Sequence, residues 1–221
     1  ANGTEYSIVA MSGRNAGFAN SYFKLQVFTN FSAKIKVRAF INEAGVGSAT
    51  LTSTNDLSTS TWHHIAAVFI DTTDLEIYLD GSQNTQTHTA INPFTEMTAD
   101  PSTTLGYSKR GGTNHYDDHL AECTVFAGQL TQADATQLAA GVHPLLVRPD
   151  LIAGHWPVFG NNSPEEDWFG GFAMTLTNSP SKSAHPPKLF YPSAPMITVP
   201  AAAAAPSGVP LGTHALLGVG R

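Results

Sequence analysis

Thr61-Trp62-His63-His64-Ile65-Ala66-Ala67-Val68-Phe69, followed closely by Leu75-Glu76-Ile77-Tyr78-Leu79-Asp80-Gly81, is the stretch that decides the fold. In the second segment Leu75, Ile77 and Leu79 alternate with Glu76, Tyr78 and Asp80. Successive side chains leave opposite faces of a sheet, so this alternation predicts a half-buried strand. Asp80-Gly81 then supplies the positive φ angles of a tight hairpin turn.

Working outward, the chain up to about residue 127 reads as short strands punctuated by turns. Candidates are 6–10, 22–28 with Phe23, Leu25 and Val27 on one face, and 34–41 with Ile35, Val37, Ala39 and Ile41 on one face. Further candidates are 62–70, 75–80, 82–89, 103–107 and 120–126. Short strands at this spacing predict an all-β antiparallel sandwich. One helix stands out, from Leu130 to Gly141. Thr131 can cap its N-terminus, Asp134 lies where the dipole favours an acid, Gly141 can close it, and Pro144 stops it.

Composition sets bounds on function. The 221 residues suffice for one domain with a substantial core plus extensions. Only 13% of residues are charged, about half the usual share. A polar but uncharged surface suits β proteins that work outside the cytoplasm or within assemblies. The net charge of −6 opposes a general nucleic-acid binder, which needs cations to neutralise phosphates. A single cysteine, Cys123, forbids an internal disulfide and reads as a small core hydrophobe. No apolar run approaches the ~20 residues that span a bilayer, and no signal peptide is evident. The chain begins with Ala1, so either an upstream segment was removed or the numbering starts inside a longer product.

The Trp62-His63-His64-Ile65-Ala66 and Leu75–Gly81 segments together resemble the "W-H-H-I-A-x-V … L-x-L-Y-x-D-G" core of the laminin-G-like domains, members of the concanavalin-A-like jelly-roll superfamily. The helix after Asp117–Val125 is similar to the "L-T-x-A" helix of that pattern. The resemblance implies a laminin-G-like sandwich over 1–143, with Trp62 buried at the start of a core strand. It also exposes a gap: such domains open with a strand before the segment matching 6–11, and none precedes it here. That strand was cut off or is supplied by another chain, since an unfilled sheet edge invites aggregation. The run Ala153–Val158, Ser163–Asp167 and His185–Pro187 resembles a tail attached to these domains in phage and bacterial proteins. Residues 144–187 are therefore expected to dock on the sandwich. Residues 188–221 are an extended Pro/Ala/Gly-rich tail that could not bury enough apolar surface alone to offset its ordering entropy. Its apolar residues Tyr191, Pro195, Ile197, Val199, Leu211, Leu216 and Leu217 are the expected assembly contacts.

Several constellations could carry chemistry. Asp74, Glu76 and Asp80 share a strand face, and residues two apart lie roughly 6.5–7 Å apart, a spacing that suits an inverting glycosidase. The "E-x-D-x-x-E" string of glucanase relatives is absent, and solvated carboxylates are the plainer reading. His115, Asp117 and His119 alternate and could hold a divalent metal. The resemblance implies calcium at the sandwich rim. Against it, the loop follows Gly111-Gly112 and shows no oxygen cage, so solvated side chains are the plainer reading there too. Lys24, Lys34, Lys36 and Arg38 form a cationic strand face, either a solvated side of the sheet or a contact for an acidic partner or anionic glycan. Trp156, Trp168, Phe169 and Phe172 could stack on sugars or pack the extension onto the sandwich.

These readings imply a non-enzymatic virion-surface protein, such as a phage capsid-decoration protein, interlocking with neighbouring copies or other virion proteins through its tail. The expected setting is the virion surface or the extracellular space, in a homo-oligomer or larger assembly, without nucleic acid or membrane insertion. The alternatives are a carbohydrate-binding or adhesive module and, behind it, a glycan hydrolase. One sandwich hosts many functions, so fold alone does not choose.

Overall fold

A computed structural model describes residues 4–15, 18–30, 32–43, 47–69, 75–84, 99–107, 115–158, 163–176, 181–182, 184 and 186. The expected assembly contacts from Tyr191 to Leu217, and Asp74, lie outside them. Among the described residues ten strands are present: β1 (Glu5–Asn15), β2 (Phe18–Thr29), β3 (Ile35–Glu43), β4 (Gly47–Thr52), β5 (Ile65–Phe69), β6 (Leu75–Leu79), β7 (Ser82–Gln83), β8 (Ala99–Leu105), β9 (Cys123–Phe126) and β10 (Ile152–Trp156). They are joined by two helices, α1 (Gln132–Ala139) and α2 (Pro144–Val147), with a short 3-10 turn at Pro149–Leu151.

One layer is a five-stranded sheet in the order β4-β3-β2-β1-β8. The ladders within it are antiparallel, with Leu25 opposite Ala39 and Ala39 opposite Leu51. The rest of the β structure comprises a three-stranded sheet, β5-β6-β7, and a two-stranded sheet, β10-β9. Leu25, Val37, Ala39, Ile41, Ala49 and Leu51 of the large sheet meet Leu75 and Ile77 of β6, with Ile65 and Ala67 of β5 packed against them. The alternation read from the sequence therefore faces inward, with Leu75, Ile77 and Leu79 only 2%, 0% and 6% exposed. Each such aliphatic side chain contributes about 1.5–3 kcal/mol by leaving water.

The opposite face of β6 departs from the expected wet side. Tyr78 is buried with Val68, Leu130 and Ala135, because α1 lies across that face. Helix α1 forms where its sequence predicts. Thr131 accepts from the Asp134 N–H, while the Asp134 carboxylate accepts from the Thr131 N–H, a reciprocal capping box. Burial alone would raise the Asp134 pKa, but hydrogen bonds from Thr131 and the nearby Arg148 hold it below the usual value. The helix is pinned to the β6–β7 hairpin, since the Gly81 carbonyl accepts from Gln132 Nε2 and from Thr136 Oγ1, the latter at 3.0 Å. Asp80 and Gly81 adopt φ of 51° and 77°, as a hairpin of this kind requires. A Cβ on Gly81 would lie 2.9 Å from the Thr136 Cα.

Two expectations are corrected. Trp62 precedes β5 rather than opening it and is 37% exposed, its ring 6.1 Å from that of His119. The strand expected over 120–126 begins at Cys123, because Glu122 holds a left-handed φ of 53° that breaks extended pairing. Of the segment expected as a strand over 82–89, Ser82–Gln83 forms β7, and 85–89 lie outside the described residues. Cys123 is half-buried as a residue, and burial pushes its thiol up to about 12.

Among the described residues β5 pairs only with β6, and β9 only with β10. Both contribute to the lining of a cleft of about 1550 Å³, with Val9, Phe23 and Leu25 of the large sheet. Strand β10, which lies in the segment expected to dock, pairs antiparallel with β9 and places His155 opposite Thr124 and Trp156 opposite Cys123.

Candidate functional site

The β9–β10 ladder brings together a cluster of polar and aromatic groups. His155 is fully buried. Its Nδ1 lies 2.9 Å from the Thr124 hydroxyl and its Nε2 lies 3.4 Å from Glu122 Oε2. His143 is 1% exposed and precedes α2, where its Nδ1 accepts from the Leu145 N–H at 3.2 Å. The two imidazoles meet edge to face with centroids 4.8 Å apart. Burial, then the neighbouring His143, lowers the His155 pKa to about 4 despite the opposing pull of Asp167. Burial also lowers that of His143. The ligand atoms of Glu122, His143 and His155 all lie within 4.8 Å of one another, and no other group of three or more His, Cys, Asp or Glu converges this way among the described residues.

Above this cluster sits the loop 167–172. Asp167 organises it. Its Oδ1 accepts from the His155 N–H at 2.8 Å and the Phe169 N–H at 2.9 Å, and its Oδ2 accepts from the Phe172 N–H at 3.1 Å. Burial opposes ionisation, but these N–H groups and that of Gly170 hold the carboxyl below its usual pKa. The Trp168 N–H donates to the His155 carbonyl at 2.9 Å, and its ring lies 6.4 Å from His143 and 6.0 Å from His155. Trp156 is buried, and its indole N–H donates to the Phe172 carbonyl at 2.6 Å. Gly154 admits the Trp156 ring, which a Cβ there would meet at 2.5 Å. With its backbone anchored, the loop leaves Trp168, Phe169 and Phe172 49%, 49% and 68% exposed. The four aromatics named from the sequence thus divide: Trp156 packs the extension inward, and the other three face outward.

The remaining sequence candidates lie elsewhere. Lys24 is not on a wet face. It is 3% exposed, its ammonium about 5 Å from the Tyr22 and Phe40 ring centroids, at 5.2 and 5.4 Å, and desolvation lowers its pKa. Arg38 pairs with Glu5 at 2.6 Å and stacks on Phe28, and Lys36 pairs with Asp56 at 3.0 Å. Lys34 is exposed in the β2–β3 turn, its N–H held by Asn30. The four do not form one open cationic surface, because two are neutralised and one is covered. His115 stacks on Tyr107, and His119 Nδ1 lies 2.9 Å from Asp118. His115, Asp117 and His119 therefore do not converge, and they offer two imidazoles where calcium takes about six to eight oxygens. These residues do not fit calcium. Glu76 accepts from the Tyr78 hydroxyl and from Gln83 Nε2, and Asp80 accepts from the His64 N–H and contacts His63 Nδ1. Sequence reasoning missed Glu122, His143 and His155, which carry no recognisable ligand spacing.

Antiparallel sheets over a shared core, with few helices, fit an all-β sandwich of the jelly-roll class. Residues 1–136 match the family model described as the concanavalin A-like lectin/glucanases superfamily, of the laminin G type, and the chain belongs to that family. Comparison with curated proteins and with solved structures returned no match.

Proposed function

We propose that this chain is a non-enzymatic glycan-binding module that works at an exposed surface, outside the cytoplasm. The observation that carries it is the outward trio Trp168, Phe169 and Phe172 on a loop whose backbone is fixed by Asp167. Apolar rings held rigidly in water stack on sugar faces at little entropic cost. The lectin-containing family supports this reading. The binding reading is favoured over hydrolysis because Glu76 and Asp80 are committed to structural hydrogen bonds. A glycan array probed with the whole chain, with and without calcium, tests it: binding to a defined sugar class is expected, and silence on the array under both conditions refutes it.

A second reading, a virion-surface structural component joined to neighbouring subunits, is favoured by the cleft of about 1550 Å³ beside β5 and β9. Such edges accept an added strand from a partner. The Pro/Ala/Gly-rich segment 188–221 supports the same reading by composition. Truncation after Pro187 tests it; a shortened protein that still joins its assembly overturns the role given to the tail.

A further inference from the structure

We propose that Glu122, His143 and His155 form a buried site for one divalent transition-metal ion of the zinc type. Glu122 Oε2 and His155 Nε2 lie 3.4 Å apart. Two ligands on a tetrahedral ion with bonds of ~2.0–2.1 Å are separated by roughly 3.3 Å, so this pair already has the required span. The third ligand atom, on His143, completes a set contained within 4.8 Å. Closing that arm onto an ion needs a shift on the order of 1 Å.

The surroundings favour the same chemistry. The Thr124 hydroxyl, 2.9 Å from His155 Nδ1, can accept from an Nδ1–H, which would free Nε2, the nitrogen facing Glu122, to take a metal; metal-binding histidines typically have such outer support. Glu122 is held at φ 53°, a left-handed conformation that costs about 1–3 kcal/mol in a residue with a side chain and is characteristic of functional positions. Its N–H is anchored by the Pro157 carbonyl at 3.1 Å. Two imidazoles and one carboxylate suit zinc and its neighbours, whereas calcium and magnesium want oxygen cages. In the arrangement seen, His143 Nδ1 accepts from Leu145, so its ring carries the proton on Nε2. An ion taken through His143 Nε2 would shift that proton to Nδ1 and release the 3.2 Å cap bond. Three protein ligands would leave a fourth position for a water or anion. The ion would clip β9, α2 and β10 together.

The test uses the whole chain stripped with EDTA and titrated with zinc chloride alone. One equivalent should bind calorimetrically and raise the melting temperature by about 5 °C at hundredfold excess over Kd, reversibly with EDTA. Glu122→Gln and His155→Gln should each weaken binding by at least about tenfold to a hundredfold. Zinc should also shift the imidazole nitrogen resonances of His143 and His155 in the unaltered protein, a readout independent of how the variants fold. Absence of saturable uptake, unchanged affinity in folded Glu122→Gln, or shifts confined to other histidines would each overturn the site.

Discussion

Replacing Asp167 with Ala removes the carboxylate that joins β10 to the aromatic loop. The N–H groups of His155, Phe169 and Phe172 lose their acceptor, as does that of Gly170. Their costs differ. Phe169 and Phe172 are exposed, so their N–H groups recover water. His155 is fully buried, and its N–H is left without an acceptor. An unsatisfied buried donor costs about 1–3 kcal/mol, so a loss of about 2 kcal/mol is expected. For a chain of this size that lowers the melting temperature by about 4–8 °C. Asp167→Asn keeps one oxygen for His155 and Phe169, so the buried N–H stays satisfied and the loss should be well below that of Asp167→Ala. Circular dichroism melts measure the stability, and acrylamide quenching of Trp168, isolated in a Trp62→Phe/Trp156→Phe background, measures the loop. The pH dependence supplies a further check. The Asp167 carboxyl is held below its usual value, so its contribution is present above the unfolded value near 3.8 and lost as pH falls through the folded pKa. The Ala variant should lack that acid slope. An Asp167→Ala protein melting with the parent, with Trp168 equally shielded, would refute the reasoning.

Two further outcomes are expected. Gly81→Ala should cost about 1–3 kcal/mol in a denaturant titration, because φ of 77° is strained for alanine and the new Cβ would lie 2.9 Å from the Thr136 Cα; a change below about 0.5 kcal/mol would contradict the close packing of hairpin and helix. His64 is half-buried, and desolvation lowers its pKa to about 4 against the opposing pull of Asp80. The unfolded chain protonates His64 near 6.5 while the folded chain resists, so stability should fall by about 3 kcal/mol between pH 6.5 and 4. His64→Gln should remove its share of that slope and leave the part carried by His143 and His155, as measured by urea unfolding across the window.

The fold was legible where one residue type answers one local question. Leu75, Ile77 and Leu79 face the core because strand period and apolar period coincide. The Thr131–Asp134 capping box is likewise local. What escaped depends on a second element arriving from elsewhere. Tyr78 alternates with core residues and still becomes buried, because α1 packs over it. Lys24 looks like a wet cation, yet its neighbours Tyr22 and Phe40 cover it. Glu122, His143 and His155 meet only when β10 pairs with β9 and α2 turns back, so no spacing in the sequence announces them. The aromatic trio was visible as composition, but its outward direction follows from the Asp167 hydrogen bonds and from Gly170, where a Cβ would meet the Ala153 carbonyl at 2.3 Å.

Phe172 offers the most direct measurement of the central claim. Its ring is 68% exposed, while its backbone N–H and carbonyl hold the loop to Asp167 and Trp156, so Phe172→Ala removes the ring and keeps the scaffold. Calorimetric titration of the parent and of this variant with the sugar found on the array compares the two affinities. The account predicts saturable binding by the parent and a loss of about tenfold or more in the variant, the effect of removing a contact worth at least about 1.4 kcal/mol. Equal affinity in both proteins would contradict it.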